Sequence, residues 1–195
     1  MFLNRIVARV AAQLAALAPI TAEAHCDTAG GPAVTDGRRA LESGNINYAL
    51  KWIPAKGEAE LRGVFTQALT VRTLGPDGAE LADRLFLETL VRLHWLGEGV
   101  GFTGIQPIGT VIDPVVVAAD EALVRNSDAH LLPLAPEERR AELDKRFQAA
   151  LAIKDFDVDD VAAGRRYLAA YVDFFTYAEG EEHEHADLAH AGHEH

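Results

Sequence analysis

Apolar residues along this chain recur at three- and four-residue spacing, and no segment alternates at period two as a half-buried strand does. Residues 32–43 form a short helix opened by proline and closed by Gly44. Asn45 caps a second segment carrying Tyr48, Leu50, Trp52 and Ile53, which stops before Pro54. Over residues 56–73 the set Leu61, Val64, Phe65, Ala68 and Leu69 marks one buried face, and Gly75-Pro76 ends it. Residues 76–96 are the longest and most apolar run. Asp113-Pro114 is a cap followed by proline at the first helical position, for a helix reaching about Asn126. Pro136-Glu137-Glu138 opens the next, with acids at the positive end of the helix dipole. A last helix over residues 157–177 buries Val161, Leu168, Tyr171, Val172 and Phe175. The pattern predicts an all-α bundle of five to seven helices interrupted by one long Gly-rich loop.

Before the first of these helices the character changes. MFLNRIVARVAAQLAALAPITAEA, residues 1–24, places Arg5 and Arg9 ahead of a short apolar run and ends on Ala22-Glu23-Ala24, an A-x-A cleavage site. It reads as a secretory signal peptide, with an amphipathic first helix as the alternative. The run is too short to span a bilayer and no second candidate follows, so no stable membrane span is expected after cleavage. The expected organisation is a signal peptide over 1–24, a helical domain over 25–178 and a disordered, His-rich acidic tail over 179–195. The expected location is the periplasm or the extracellular space.

A formal charge of −12, made one unit more negative by removal of the leader, excludes binding of nucleic acid through a basic stripe and fits attraction for cations. The chain has one cysteine, Cys26, so no internal disulfide and no two-cysteine zinc pattern exists. Cleavage after Ala24 makes His25 the first residue. Its amine and imidazole, with the amide and thiolate of Cys26, then form a chain of chelating donors suited to nickel or copper, with zinc possible.

Three further features carry candidate chemistry. In HWLGE, residues 94–98, His94 and Glu98 lie one turn apart on an apolar face. They either complete a metal shell or form a core histidine with a hydrogen-bond partner at a loop mouth. Glu88 and Arg92 have the spacing of an i, i+4 ion pair. GEGVGFTGIQP, residues 97–107, contains a literal G-x-G-x-x-G but lies after a helix and before an irregular loop. That context excludes the dinucleotide motif and leaves a loop that covers a site near His94. The tail EEHEHADLAHAGHEH contributes His183, His185, His190, His193 and His195, a tract that binds divalent metals loosely. His130 falls in a break and reads as a surface residue.

The segments AHCDTAGGP at 24–32, ALESGNINYALKWI at 40–53 and ETLVRLHWLGEGVGFTGIQP at 88–107 resemble a family of small exported bacterial proteins, the domain of unknown function 6448. The resemblance runs from residue 24 to about 177, leaves the tail outside, and implies no activity. His25-Cys26-Asp27 also resembles the first three residues of the nickel superoxide dismutase hook, H-C-D-x-x-C-G. That likeness implies amine and imidazole ligation from His25 and amide and thiolate ligation from Cys26. Gly30 stands where the hook has its second cysteine, which puts dismutation in doubt. Three functional classes follow: a metal-binding protein, a redox enzyme acting on superoxide or peroxide through the bound metal, and a helical interaction module with a reactive thiol.

Overall fold

The computed structural model describes residues 25–98 and 101–180. Seven α-helices lie in them: α1 (Pro32–Ser43), α2 (Asn47–Leu50), α3 (Glu58–Arg72), α4 (Pro76–Glu98), α5 (Pro114–Arg125), α6 (Arg140–Ile153) and α7 (Val161–Glu179). Thr28 and Gln106 form an isolated parallel bridge, and no strand lies among the described residues. The expected all-α bundle is the observed fold.

Two antiparallel hairpins make the frame. α3 packs along α4, and α6 packs along α7. α1 lies on α4 and α5 lies on α7. Between them a single core gathers Leu50, Leu61, Phe86, Leu90, Leu143, Phe147, Phe174 and Phe175. Burial of this apolar area is the main favourable term for a bundle with no disulfide.

The helix ends follow from local chemistry. Gly44, beyond α1, adopts the left-handed conformation that a residue without Cβ takes at least cost. The Asp113 carboxylate accepts the Val115 N–H, with Pro114 at the first helical position. Asn126 closes α5 at φ 55°. Asn45 Oδ1 accepts the Asn47 N–H, but α2 then lasts only to Leu50, because Pro54 lacks the N–H needed to continue it. The last helix begins later than its periodicity suggests. Asp157 and Asp160 instead use their carboxylates to bind backbone N–H groups, Asp160 capping α7 through Ala163. Val161 and Val172 are accordingly half-buried, while Leu168, Tyr171 and Phe175 are core.

The Glu88–Arg92 pair is not formed. Glu88 instead meets Arg84, one turn earlier, and Arg92 crosses to Glu60 on α3. Both alternatives are available because an exposed carboxylate on a helix has neighbours at both i−4 and i+4.

Candidate metal site at the N-terminal tip

Residues 25–31 form a tight coil immediately before α1. The Thr28 N–H donates to the His25 carbonyl at 3.3 Å, and the Gly31 N–H donates to Thr28 at 2.8 Å. The Ala33 N–H at the start of α1 donates to the Cys26 carbonyl at 3.3 Å. Arg38, one turn further on, donates to the Ala29 carbonyl. The coil requires glycine at 31. A Cβ there would stand 2.5 Å from the Cys26 carbonyl oxygen and closer still to that of His25.

This coil inserts His25, Cys26 and Asp27 into the bundle, where His25 is 2% and Cys26 and Asp27 each 1% exposed. The His25 ring meets the edge of Phe175 on α7 at 5.6 Å between centroids. Its Nε2 lies 2.7 Å from Asp120 Oδ2 on α5. The other carboxylate oxygen of Asp120 accepts the Tyr171 hydroxyl at 2.6 Å. The opposite ring nitrogen of His25, Nδ1, faces the Cys26 sulfur at 3.8 Å. Burial pushes the Tyr171 phenol well above its ordinary value, and the nearby Cys26 and Asp120 push it further. Tyr171 therefore stays protonated and serves as a hydrogen-bond donor to Asp120.

An open cleft of about 460 Å³ reaches this tip. His25, Thr28 and Asp120 lie in its lining, with Ile108, Thr110 and Val117 on the walls. The loop over residues 97–107, expected to cover a site near His94, meets the tip through Gln106. Gln106 pairs with Asp27 and Ala29 through the backbone: the Ala29 N–H donates to Gln106 at 2.8 Å, and the Gln106 N–H donates to Asp27 at 3.3 Å.

His94 belongs to a different environment. Its Nδ1 lies 2.8 Å from the Trp52 carbonyl oxygen, which only accepts, so Nδ1 carries the proton. The ring also stands edge-on to the Trp52 indole at 5.8 Å. Burial lowers the His94 pKa, and its hydrogen bond to Trp52 opposes that shift only in part. Trp52 is held in turn by Asp36, which also binds Lys51. His94 thus ties α4 to the turn after α2, in the manner of a core histidine.

Of the expected ligands, then, the structure brings His25 and Cys26 together and places His94 in the core. Glu98 is the last residue of α4, and its side chain lies outside the described residues, as do His183, His185, His190, His193 and His195 and the leader over 1–24. His130 is exposed. Among the described residues, no three His, Cys, Asp or Glu side chains gather into an ion-binding group. A metal at the tip must therefore draw donors from the main chain as well. Asp120 and the Tyr171 hydroxyl are site residues that the sequence reading missed. Asp120 lies on the apolar stripe Val116, Ala119, Leu123 of α5, and an acid in that register is the signal that marks it.

The Family of unknown function (DUF6448) matches the chain over residues 30–177. The chain belongs to this family. The matched DUF6448 span includes Gly31, Gln106, Asp120 and Tyr171, while the coil residues His25–Ala29 lie just before it and the tail lies beyond it. No curated protein and no solved structure matches the chain. No helix among the described residues is long and apolar enough to cross a membrane.

Proposed function

We propose that this DUF6448 protein is an exported metal-binding protein, holding nickel or copper through an N-terminal chelate made by His25 and Cys26. The carrying observation is the arrangement of the two side chains: His25 turns Nε2 to Asp120 and Nδ1 to the Cys26 sulfur. Of the two ring nitrogens, Nδ1 alone can close a chelate ring with the amine of its own residue. The amine and the Cys26 amide close a second ring, and that amide and the thiolate close a third. The amine, Nδ1, the Cys26 amide and the thiolate would together hold the ion, and the two side-chain donors among them already face each other at 3.8 Å. A carboxylate on the far nitrogen, itself held by Tyr171, is the kind of support that orients metal-bound histidines.

The leader determines whether the site exists, because an uncleaved chain has an amide in place of the amine. The His-rich tail gathers metal loosely for the tip. Cation binding fits the chain's acidity. The cleft at His25 favours one further reading, a redox reaction of superoxide or peroxide at the bound ion. Dismutation by the loaded protein at no more than the rate of the free ion would dispose of it.

The main test is N-terminal sequencing and metal analysis of the secreted protein, its Cys26→Ser variant and a form ending at Gly180. The expected result is a chain starting at His25 with one tightly held equivalent that survives tail removal and is lost with Cys26→Ser. A retained leader, or metal lost only with the tail, would overturn the reading.

A further inference from the structure

His25 lines the open cleft, but Cys26 is 1% exposed and does not line it, so an ion that is to reach the thiol as well needs something to move. The element lying against the tip is the segment between Gly104 and Gly109. Both glycines have left-handed backbone, φ 101° and 89°, and nothing stands within 4 Å of where a Cβ would be. Between them, Gln106 makes the two backbone hydrogen bonds to Asp27 and Ala29. Pro107 follows and has no N–H to add to the pairing. Pro107 and Ile108 then line the cleft, with Ile108 82% exposed.

The two sides of this pairing are unequally held. The tip is fixed to its own coil, to α1 through Ala33 and Arg38, and to α5 through Asp120. The segment opposite has two backbone bonds to the tip, one of them at 3.3 Å, a single half-buried apolar side chain, Ile105, against the core, and a left-handed glycine at each end. We propose that residues 104–109 are a strap that swings off the tip as a unit, hinged at Gly104 and Gly109, and that its opening admits a metal ion to His25 and Cys26. This inference rests on the metal reading for the identity of what enters. The motion itself is independent of that reading.

The Cys26 thiol reports the motion without any metal. In metal-free protein under native conditions, a small aromatic disulfide should label Cys26 slowly, at the frequency of strap opening. Alanine at a left-handed position strains the closed form by about 1–2 kcal/mol, or roughly 5- to 30-fold in an equilibrium. Gly104→Ala and Gly109→Ala should therefore each speed labelling by about that factor. Gly101→Ala, in open space without left-handed backbone, should not. By hydrogen exchange, the Ala29 and Gln106 amides should open together, and faster than Ala33. Copper(II) added alone should load the variants faster by the factor seen in labelling.

Exchange at Ala29 and Gln106 no faster than at Ala33, or labelling unchanged in both hinge variants, would overturn the strap. So would labelling with the denaturant dependence of global unfolding. The exchange measurement on the unmodified chain decides the matter even if a hinge variant fails to fold. Correct strap behaviour with neither copper(II) nor nickel(II) bound would sink the metal reading and leave the strap standing.

Discussion

His25 and His94 are both buried histidines with one ring nitrogen in a short hydrogen bond, yet their surroundings differ. His94 gives Nδ1 to a backbone carbonyl, stands against an indole, and is pushed by burial toward its neutral form. Its partner carries no charge and belongs to the chain turn that α4 must grip. His25 gives Nε2 to a carboxylate, keeps Nδ1 toward a sulfur, and lines a cleft. Burial alone therefore says little about a histidine's role. What separates the two is the charge of the partner, the group facing the second nitrogen and the path to solvent.

The sharpest way to break the comparison is at Gly31. Alanine there drives its Cβ into backbone oxygens of His25 and Cys26, which cannot move aside as a flexible side chain would. Gly31→Ala should cost about 3 kcal/mol, the upper part of the range for overpacking. It should also abolish metal retention while leaving the His94–Trp52 bond intact by NMR. Gly30→Ala, one residue away with nothing within 4 Å, should change stability by less than about 0.5 kcal/mol. Equal melting temperatures for the two variants would refute the account of the coil.

Exchanging the fates of the histidines comes next. His94→Ala leaves a cavity in the core and removes the donor to Trp52, so a loss of about 2–3 kcal/mol is expected. For a chain of this size, that is a fall in Tm of about 4–12 °C. Metal stoichiometry should stay unchanged. His25→Ala should do the reverse, emptying the site at a smaller cost in Tm. Loss of metal in His94→Ala protein that remains folded would return His94 to the ligand set.

Acid offers a finer test of His94. Its folded pKa lies below the ordinary 6.5, so the unfolded chain binds the proton more readily. The stability this neutral histidine contributes is complete above pH 6.5 and declines as pH falls from there toward the lowered folded value. His94→Gln, which cannot titrate, should lose less stability between pH 7 and pH 5 than the unmodified protein. Parallel stability curves over that interval would show that His94 is not buried as described.

How much of this contrast was legible in the sequence depends on the range of the interactions involved. The helices were, because caps and breakers act within a few residues: Pro32, Gly44, Asp113 and Asn126 stand at the observed ends. The His25-Cys26 pair was also legible, being adjacent in the chain. Asp120 and Tyr171 were not, since they reach His25 and each other only when α5 packs on α7, across 95 and 51 residues. The destination of the Gly-rich loop was hidden for the same reason. It leaves α4 close to His94 in sequence, but a backbone pairing with residues 27–29 carries it to the other histidine. HWLGE marked His94 as a buried-face histidine, but its Nδ1 partner, the Trp52 carbonyl, lies 42 residues away and is brought to it only by packing.

The smallest expected effect concerns how firmly the His25 side is assembled. Asp113 caps α5 through the Val115 N–H, and α5 carries Asp120 two turns later to His25. Asp113→Ala leaves that N–H without its side-chain acceptor and frays the first turn, at a cost of about 1 kcal/mol. The fall in Tm should be about 2–4 °C. Because Asp120 lies beyond the frayed turn and is also held by Tyr171, copper affinity should fall by less than about tenfold. The same cap substitution on α7, Asp160→Ala, should cost about as much stability and likewise spare the tip, since Tyr171 and Phe175 lie three and four turns inside that helix. If either cap variant emptied the site while melting within a few degrees of the parent, helix fraying would reach the carboxylate. The His25 side would then depend on the first turn of a helix that carries its partner two turns later.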